Sequence, residues 1–204
     1  MTENGIELRS PAGSHDLPRL VPFRGLPRQP LQDGRGTVRE IHVETAPGLD
    51  LRWQLQLVEL KGPRATLLAP AGTHQRIVGL SGPQVSVGDA VDRVAALGRD
   101  RALSVRSPTI VFQRPRLRVA GASVVVVLTA AASGPPPRLS FRTLDDPTDL
   151  VGISLVLLLQ GELRVDGVEA ARQSALLLDP RTTSHVTASA ARVLTLAEES
   201  AAAD

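Results

Sequence analysis

Short runs in which apolar and polar residues alternate, separated by Gly and Pro, place the strongest constraint on the fold of this chain. In residues 37–43, 51–60 and 74–80, successive positions fall on two faces of different composition, and this period of two is typical of half-buried β-strands. Asp166-Gly167 predicts a hairpin turn after a later run. Further short runs with strand-like composition lie at residues 103–106, 110–113, 124–128, 139–144, 153–165, 174–178 and 192–196. Many short strands between Gly/Pro turns predict an all-β fold, either a barrel or a sandwich.

Residues 88–97 fit two local structures. Asp89 is a suitable N-cap, Val91 and Val94 are apolar at helical spacing, and Gly98 is a suitable stop, so a short helix fits this segment. The surrounding pattern requires a strand or a turn instead, and we expect a strand.

A Pro-rich stretch, Ser133-Gly134-Pro135-Pro136-Pro137, divides the strand-rich region into a longer and a shorter part. Consecutive prolines form a stiff, extended linker. The predicted organisation is an irregular N-terminal arm (residues 1–19), an N-terminal unit (20–132), the linker (133–138), a C-terminal unit (139–197) and a frayed tail (198–204).

The charge balance argues against a nucleic-acid partner, despite a sequence pI of about 10.2. With 23 basic and 21 acidic residues, the formal net charge is only +2. The pI is high because the chain has no Cys, no Tyr and a single Lys, so almost nothing titrates between neutral pH and the range of Arg. Aromatic residues, on which single-stranded nucleic acids stack, make up only 2% of the chain. We therefore expect no nucleic-acid partner.

The absence of Cys excludes disulfides, zinc–thiolate sites and thiol nucleophiles. Residues 1–19 are polar and lack the apolar core of a signal peptide. The longest apolar run, residues 122–132, is too short for a transmembrane helix and has the Val content of a buried strand. We expect a cytoplasmic protein that does not associate with membranes.

Three charged residues fall on strand faces that are otherwise apolar. Arg39 shares a face with Ile41, Glu59 follows the alternation that begins at Leu51, and Arg76 precedes Val78 on the same face. One hypothesis is that the three side chains meet near one barrel mouth, where two guanidiniums and one carboxylate suit a carboxylate ligand. The alternative is that each residue lies at a strand end, extends to water and forms a structural ion pair.

A series of short motifs carries a resemblance to a known family. Residues 31–41, LQDGRGTVREI, resemble the signature WKNGGGxTRE of the HutD/Ves family. The family then has a strand that begins with Trp, a Gly-Pro pair and a Pro-Gly…Arg segment. Here Trp53, Gly62-Pro63 and the stretch from Pro70 to Arg76 follow in the same order.

The resemblance implies a bicupin, that is, two fused cupin-type half-barrels. It places Arg39, Glu40, Trp53, Glu59 and Arg76 at family positions. It also implies a protein of histidine utilisation that binds or governs a pathway intermediate, such as a formylated glutamate or urocanate, rather than an enzyme.

The metal site of metal-dependent cupins has no full counterpart. The second motif that these proteins share, Gly-x5-Pro-x-Gly-x2-His, fits residues 174–185 and places His185 at a ligand position. The other three expected ligands are missing, and the four His of the chain cannot rebuild an imidazole-rich site. His185 with Asp149 and Asp179 is either a remnant of that site or a surface-turn histidine, and we expect the latter. No metal and no cofactor are predicted.

The hypothesis for function is a non-enzymatic protein that binds a small anionic metabolite in the cavity of the N-terminal half. Arg39 and Arg76 would supply the charge, Glu59 would orient one of them, Trp53 would form a wall, and the loop from Asp33 to Gly36 would form the rim. The full set of predicted binding residues is Arg39, Glu59, Arg76, Trp53, Glu40, Asp33, Gly34, Gly36 and His74.

Two alternatives belong to other classes of protein. One is a metal-independent cupin enzyme, an isomerase or lyase that uses Glu59 or His74 as a base. Glu40 with His42 also forms a potential acid–base pair, although we expect that pair on a solvated outer face. The other alternative is an interaction protein with filled cavities, whose outer sheet pairs two subunits in a homodimer.

Overall fold

The computed structural model describes residues 18–33, 35–46, 49–88, 94–114 and 121–198. Within these ranges the chain is folded into antiparallel strands, with one 3₁₀ turn at Phe23–Gly25. The predicted all-β fold is confirmed. The described residues include no helix with the length and hydrophobicity that a membrane-spanning helix requires.

Three sheets contain all the strands of the described residues. The six-stranded sheet has the spatial order β2 (Gln29–Pro30), β3 (Gly36–Ala46), β4 (Leu49–Leu60), β11 (Ser123–Ala131), β6 (Thr73–Ser81) and β9 (Ala102–Val105). The four-stranded sheet has the order β5 (Arg64–Leu68), β10 (Thr109–Gln113), β7 (Val85–Gly88) and β8 (Val94–Leu97). The seven-stranded sheet has the order β1 (Arg19–Pro22), β16 (Ser174–Leu177), β14 (Ile153–Val165), β17 (Ser184–Ala197) and β12 (Arg138–Leu144), with β13 (Thr148–Leu150) beside β17 and β15 (Val168–Ala170) beside β14.

The centre of the six-stranded sheet is buried on both faces, which explains its hydrophobic strands. In β11, Val125 and Val127 point to one face while Val126 and Leu128 point to the other, so a nearly continuous apolar run forms a single central strand. One face packs on the four-stranded sheet and forms the N-terminal core, which includes Val58, Leu60, Ile77, Ile110 and Phe112.

The second face of the six-stranded sheet packs on the seven-stranded sheet. Here Trp53 and Leu55 of β4 meet Leu155 and Leu157 of β14 in what we name the shared core. The seven-stranded sheet encloses a third cluster, the C-terminal core, around Val156, Leu163, Leu176, Val186 and Val193. The shared core therefore joins the residues before and after the predicted linker.

The N-terminal segment crosses between these two sheets. Strand β1 pairs with β16 of the seven-stranded sheet, and after the 3₁₀ turn β2 pairs with β3 of the six-stranded sheet. Residues 20–22, which the sequence places in the N-terminal unit, thus form hydrogen bonds with the C-terminal sheet. The other predicted unit boundaries stay a prediction.

Several local predictions find a counterpart in the structure. The alternating runs lie within β3, β4 and β6. Asp166 and Gly167 both have positive φ, 46° and 83°, in the tight turn that joins β14 to β15, as the predicted hairpin requires. In the ambiguous segment, residues 94–97 form strand β8 as expected, whereas residues 89–93 lie outside the described residues.

Candidate functional site

A cleft of about 460 Å³ opens where the six-stranded sheet faces the seven-stranded sheet. It lies at the edge of the shared core, because Leu57 and Leu157 border both the cleft and that core. The lining residues come from the N-terminal segment, from strands β3, β4, β6 and β11, from the connection between β8 and β9, and from the C-terminal part: Phe23, Arg28, Thr37, Arg39, Leu57, Glu59, Leu80, Ser81, Arg99, Val124, Leu157, Leu158, Leu159, Arg172 and Gln173.

The register of β3 on β4 brings Arg39 and Glu59 together. Thr37 lies opposite Glu59, and Arg39 lies opposite Leu57, so Arg39 and Glu59 are diagonal neighbours on one face of the sheet. Diagonal pairs of this kind are within reach of long side chains. Both side chains line the same cleft, and that they form one binding site stays a prediction.

Arg39 is the buried charge of the cleft, with only 8% of its surface exposed. Its Nη1 donates a hydrogen bond to the carbonyl oxygen of Phe23 at 2.6 Å, and the backbone N–H of Phe23 donates to the carbonyl oxygen of Gln173 at 2.9 Å. Among the described residues, no carboxylate forms an ion pair with Arg39. A guanidinium has five N–H donors, and a buried charge without a counterion is costly, so this side chain is suited to receive an anion.

Three of the four other charged residues that line the cleft are positive, like Arg39. Arg28, Arg99 and Arg172 line it together with Arg39, whereas Glu59 is its single carboxylate. Glu59 Oε1 lies 3.4 Å from Lys61 Nζ, so part of that negative charge is already balanced. Within the described part of the chain, Arg28 and Arg172 are exposed and form no ion pair. The excess of guanidinium groups favours an anionic ligand.

The remaining surface of the cleft is largely apolar. Leu57, Leu80 and Val124 form one wall and residues 157–159 form the other. Thr37 adds a hydroxyl whose Oγ1 is buried and has no hydrogen-bond partner among the described residues. The arrangement fits a ligand with a short carbon body, an anionic group at the arginines and a polar group near Thr37.

The predicted meeting of Arg76 with Arg39 and Glu59 is wrong. Arg76 is exposed and does not line the cleft. It pairs with Leu128, which pairs with Leu55, four residues before Glu59 and hence roughly 13 Å away along the strand direction. The alternation in β6 predicts which face of the sheet Arg76 lies on, but it cannot predict how far along the strand direction Arg76 lies from Glu59.

The cleft does not lie inside the N-terminal half, where the sequence pattern places the binding site. That interior is filled by the apolar N-terminal core, and the cleft lies between the two sheets instead. Trp53 does not form its wall, since Trp53 is fully buried in the shared core with its ring 4.9 Å from that of His42. Its Nε1 has no partner among the described residues.

The remaining predicted residues lie outside the cleft lining. Glu40 is exposed and accepts a hydrogen bond from Gln54 Nε2 at 2.6 Å, and His74 lies on β6 away from the cleft. His74 therefore cannot serve the enzyme alternative there, and Glu59 is the one proposed base that lines the cleft. His42 forms a pair with Glu44 at 3.3 Å rather than with Glu40.

The predicted rim loop contributes through packing. Asp33 Oδ1 accepts a hydrogen bond from the backbone N–H of Arg35 at 3.2 Å, which shapes the turn. Gly36 allows β3 to approach β4 closely, because a Cβ there would lie 2.6 Å from the carbonyl oxygen of Glu59. Neither residue lines the cleft, and Gly34 lies outside the described residues.

His185 is an exposed residue at the start of β17, as predicted. Its Nδ1 lies 2.8 Å from Asp149 Oδ1, and this hydrogen bond, with the charges of Asp149 and Asp166, raises the pKa of His185 above its usual 6.5. Asp179 does not join them and instead accepts from the backbone N–H of Arg181. In the ranges that the structure describes, no three His, Asp or Glu side chains are grouped as a metal site would require.

Sequence reasoning missed Thr37, Arg28, Arg99 and Arg172. Thr37 lies on the same face as Arg39, so its position in the alternation was a usable signal. Arg28, Arg99 and Arg172 lie between strands, where no periodicity indicates direction.

Solved structures with the same architecture identify the fold. HutD from Pseudomonas fluorescens SBW25 is 17% identical, with a TM-score of 0.67 over 89% of this chain and 99% of that one. The fold is of the HutD type. A conserved protein of unknown function from Pseudomonas aeruginosa PAO1 is 20% identical, with a TM-score of 0.69 over 88% of this chain and 97% of that one. Protein Ylba from E. coli is 9% identical, with a TM-score of 0.64 over 90% and 92% of the two chains.

The predicted resemblance to HutD is thus confirmed at the level of the fold, which is of the cupin type. No protein-family model matches the chain, and no curated protein matches it.

Proposed function

We propose that this HutD-type chain is a non-enzymatic binding protein for a small anionic metabolite, held by a carboxylate in the cleft between the six-stranded and seven-stranded sheets. The observation that carries the proposal is Arg39, a buried guanidinium that lines the cleft and whose one hydrogen-bond partner among the described residues is a backbone carbonyl. A carboxylate would supply the missing counterion and accept two parallel N–H bonds.

The other lining groups define the rest of the ligand. Arg28, Arg99 and Arg172 lie at more exposed positions, so they would attract the anion and raise its rate of association. Glu59 is an acceptor when ionised and would face an N–H or O–H group of the ligand. Leu57 and Leu157 would pack against its carbon body.

Two further parts of the proposal concern architecture and biology. The N-terminal core and the C-terminal core, each enclosed by its own strands, support a bicupin with one half-barrel in each part of the chain. The likeness to HutD in fold supports a ligand taken from histidine utilisation, such as a formylated glutamate or urocanate, in a protein that governs that pathway.

Titration with succinate, followed by calorimetry and by thermal unfolding, tests the binding proposal. Succinamide, which has the same carbon chain without charge, is the matched ligand control, and formate is included because HutD from P. fluorescens was solved in a formate condition. At ten times its dissociation constant, succinate should stabilise the native state by about 1.4 kcal/mol. For a chain of this size that corresponds to a rise in melting temperature of about 3–6 °C.

Matched arginine variants locate the site. Arg39→Met should weaken succinate binding at least about tenfold, because a hydrogen bond to a charged group contributes about 1.5–3 kcal/mol. Arg172→Met, at an exposed position in the cleft, should weaken it less and leave stability unchanged. Arg76→Met, on the same sheet face but outside the cleft, should bind like the wild type.

Two results would contradict the proposal. One is the absence of binding by every carboxylate tested. The other is equal binding by the Arg39→Met and wild-type proteins, because the anion would then lie elsewhere. Turnover of a bound acid, abolished by Glu59→Gln, would instead establish the enzyme alternative.

A further inference from the structure

A short segment beside the cleft is held against the six-stranded sheet by its backbone. Asp100 donates its N–H to the carbonyl oxygen of Gly79 at 2.9 Å, and Gly79 donates its N–H to the carbonyl oxygen of Arg101 at 3.1 Å. The φ of Asp100 is 61°, in the left-handed region that few residues other than Gly adopt. These contacts fix Arg99 at the cleft and direct Asp100 toward the seven-stranded sheet.

One carboxylate oxygen of Asp100 lies near two arginines from different parts of the fold. Asp100 Oδ2 is 2.9 Å from Nη1 of Arg192 on β17, and 3.6 Å from Nε of Arg99. The first distance is that of a charge-assisted hydrogen bond, whereas the second is longer than a hydrogen bond. Arg192 also lies over the ring of Phe141, at 5.8 Å from its centroid, which restricts its position.

We propose that Asp100 and Arg192 determine how strongly Arg99 attracts an anion into the cleft, so that both residues set the affinity for the anion from outside the cleft lining. The inference rests on the proposed anion-binding function. Arg192 engages Asp100 and weakens the hold of Asp100 on Arg99. Arg99 therefore keeps donors and charge for the ligand, and neither Asp100 nor Arg192 lines the cleft itself.

The mechanism predicts opposite effects for the two residues. Without the carboxylate of Asp100, Arg99 has no competing anion, so a ligand should bind more tightly. Without the guanidinium of Arg192, the full charge of Asp100 acts on Arg99, so a ligand should bind less tightly. Because the side chain of Arg99 is 58% exposed and that of Asp100 is 21% exposed, each effect should be that of a partly screened pair.

Succinate titrations of three variants test the inference. Asp100→Asn should lower the dissociation constant about two- to fivefold, and Arg192→Met should raise it by a similar factor. The double variant should resemble Asp100→Asn, because Arg192 acts through Asp100 and has nothing to neutralise once that carboxylate is gone. In an Arg99→Met background, Asp100→Asn should no longer tighten binding.

Matched controls are Asp145→Asn and Arg164→Met, both at exposed positions away from the cleft, which should leave succinate binding unchanged.

Weaker binding by both Asp100→Asn and Arg192→Met would overturn the inference, because the pair would then serve only to hold the two sheets together. Additive effects in the double variant would also overturn it. If wild-type protein fails to bind any carboxylate, the proposed function fails first. If wild-type protein binds and the Asp100 and Arg192 variants do not differ from it, the inference alone fails.

Discussion

Replacement of Gly79 by Ala should damage the fold at the point where the cleft is assembled. A Cβ at this position would overlap the carbonyl oxygen of Gly98 and would lie 3.0 Å from the carbonyl carbon of the same residue. Both atoms belong to backbone rather than to a flexible side chain, so neither rotates away. The segment from Gly98 to Arg101 must therefore move off β6, and two backbone hydrogen bonds between Gly79 and that segment are lost or stretched.

The magnitude follows from those contacts. Each lost backbone hydrogen bond costs about 1 kcal/mol, and overpacking of a closely packed site costs about 1–3 kcal/mol. Ala restricts the unfolded chain more than Gly does and returns about 0.4–1 kcal/mol. The net loss of stability should therefore be about 2–5 kcal/mol. Urea denaturation, monitored by the fluorescence of the single Trp, measures it as a lower midpoint with an unchanged slope.

The matched control is Gly25→Ala, where an added Cβ meets no atom within 4 Å and stability should change by less than about 1 kcal/mol. The Gly79→Ala variant should also bind succinate more weakly, since Arg99 moves with the segment. A variant as stable as wild type would refute the argument. It would show that residues 98–101 can move away from β6 without loss of stability and therefore do not fix Arg99.

Two further predictions concern the core and the histidine at the start of β17. Leu155 lies in the shared core with no exposed surface, so Leu155→Ala should lower the free energy of unfolding, measured by urea denaturation, by about 2–5 kcal/mol. Leu68 is 57% exposed, so the control Leu68→Ala should lower it by less than about 0.5 kcal/mol. Equal losses in the two variants would contradict the packing described. Because Asp149 raises the pKa of His185, the stabilisation by this pair is fully present below the unfolded pKa of about 6.5 and is lost as pH rises through the folded pKa. In an NMR titration His185 should titrate above 6.5 in wild type and at a lower pH in Asp149→Asn, and identical titration curves would exclude the pair.

The sequence pattern was sufficient for most of the longer strands and for one face of the cleft, whereas no predicted run covers the short strands β1, β5, β13 and β15. Alternation in β4 places Glu59 with Trp53 and Leu55, and the structure keeps these residues on one face. What alternation could not show is which core that face meets. Val58 and Leu60 lie on the other face of β4 and are buried in the N-terminal core. Because both faces of β4 are buried, alternation alone could not assign the face with Trp53 and Leu55 to the shared core.

The charge of the cleft could be predicted only in part. Arg39 breaks the apolar pattern of a strand and is visible for that reason. Arg28, Arg99 and Arg172 come from connections whose direction depends on contacts between distant segments, such as the pairing of β1 with β16. Their convergence is a property of tertiary packing, which no local pattern encodes.

The shared core has a consequence for the way in which a ligand enters. Leu157 borders the cleft and belongs to the cluster that joins the two sheets, and Leu57 borders the cleft and packs against that cluster. Two lobes joined in this way cannot swing apart about a hinge without exposing that cluster to water. We therefore expect the cleft to be preorganised, so that no binding energy is used to close it. We also expect that an acid whose shape does not match the cleft cannot bind to a more open conformation.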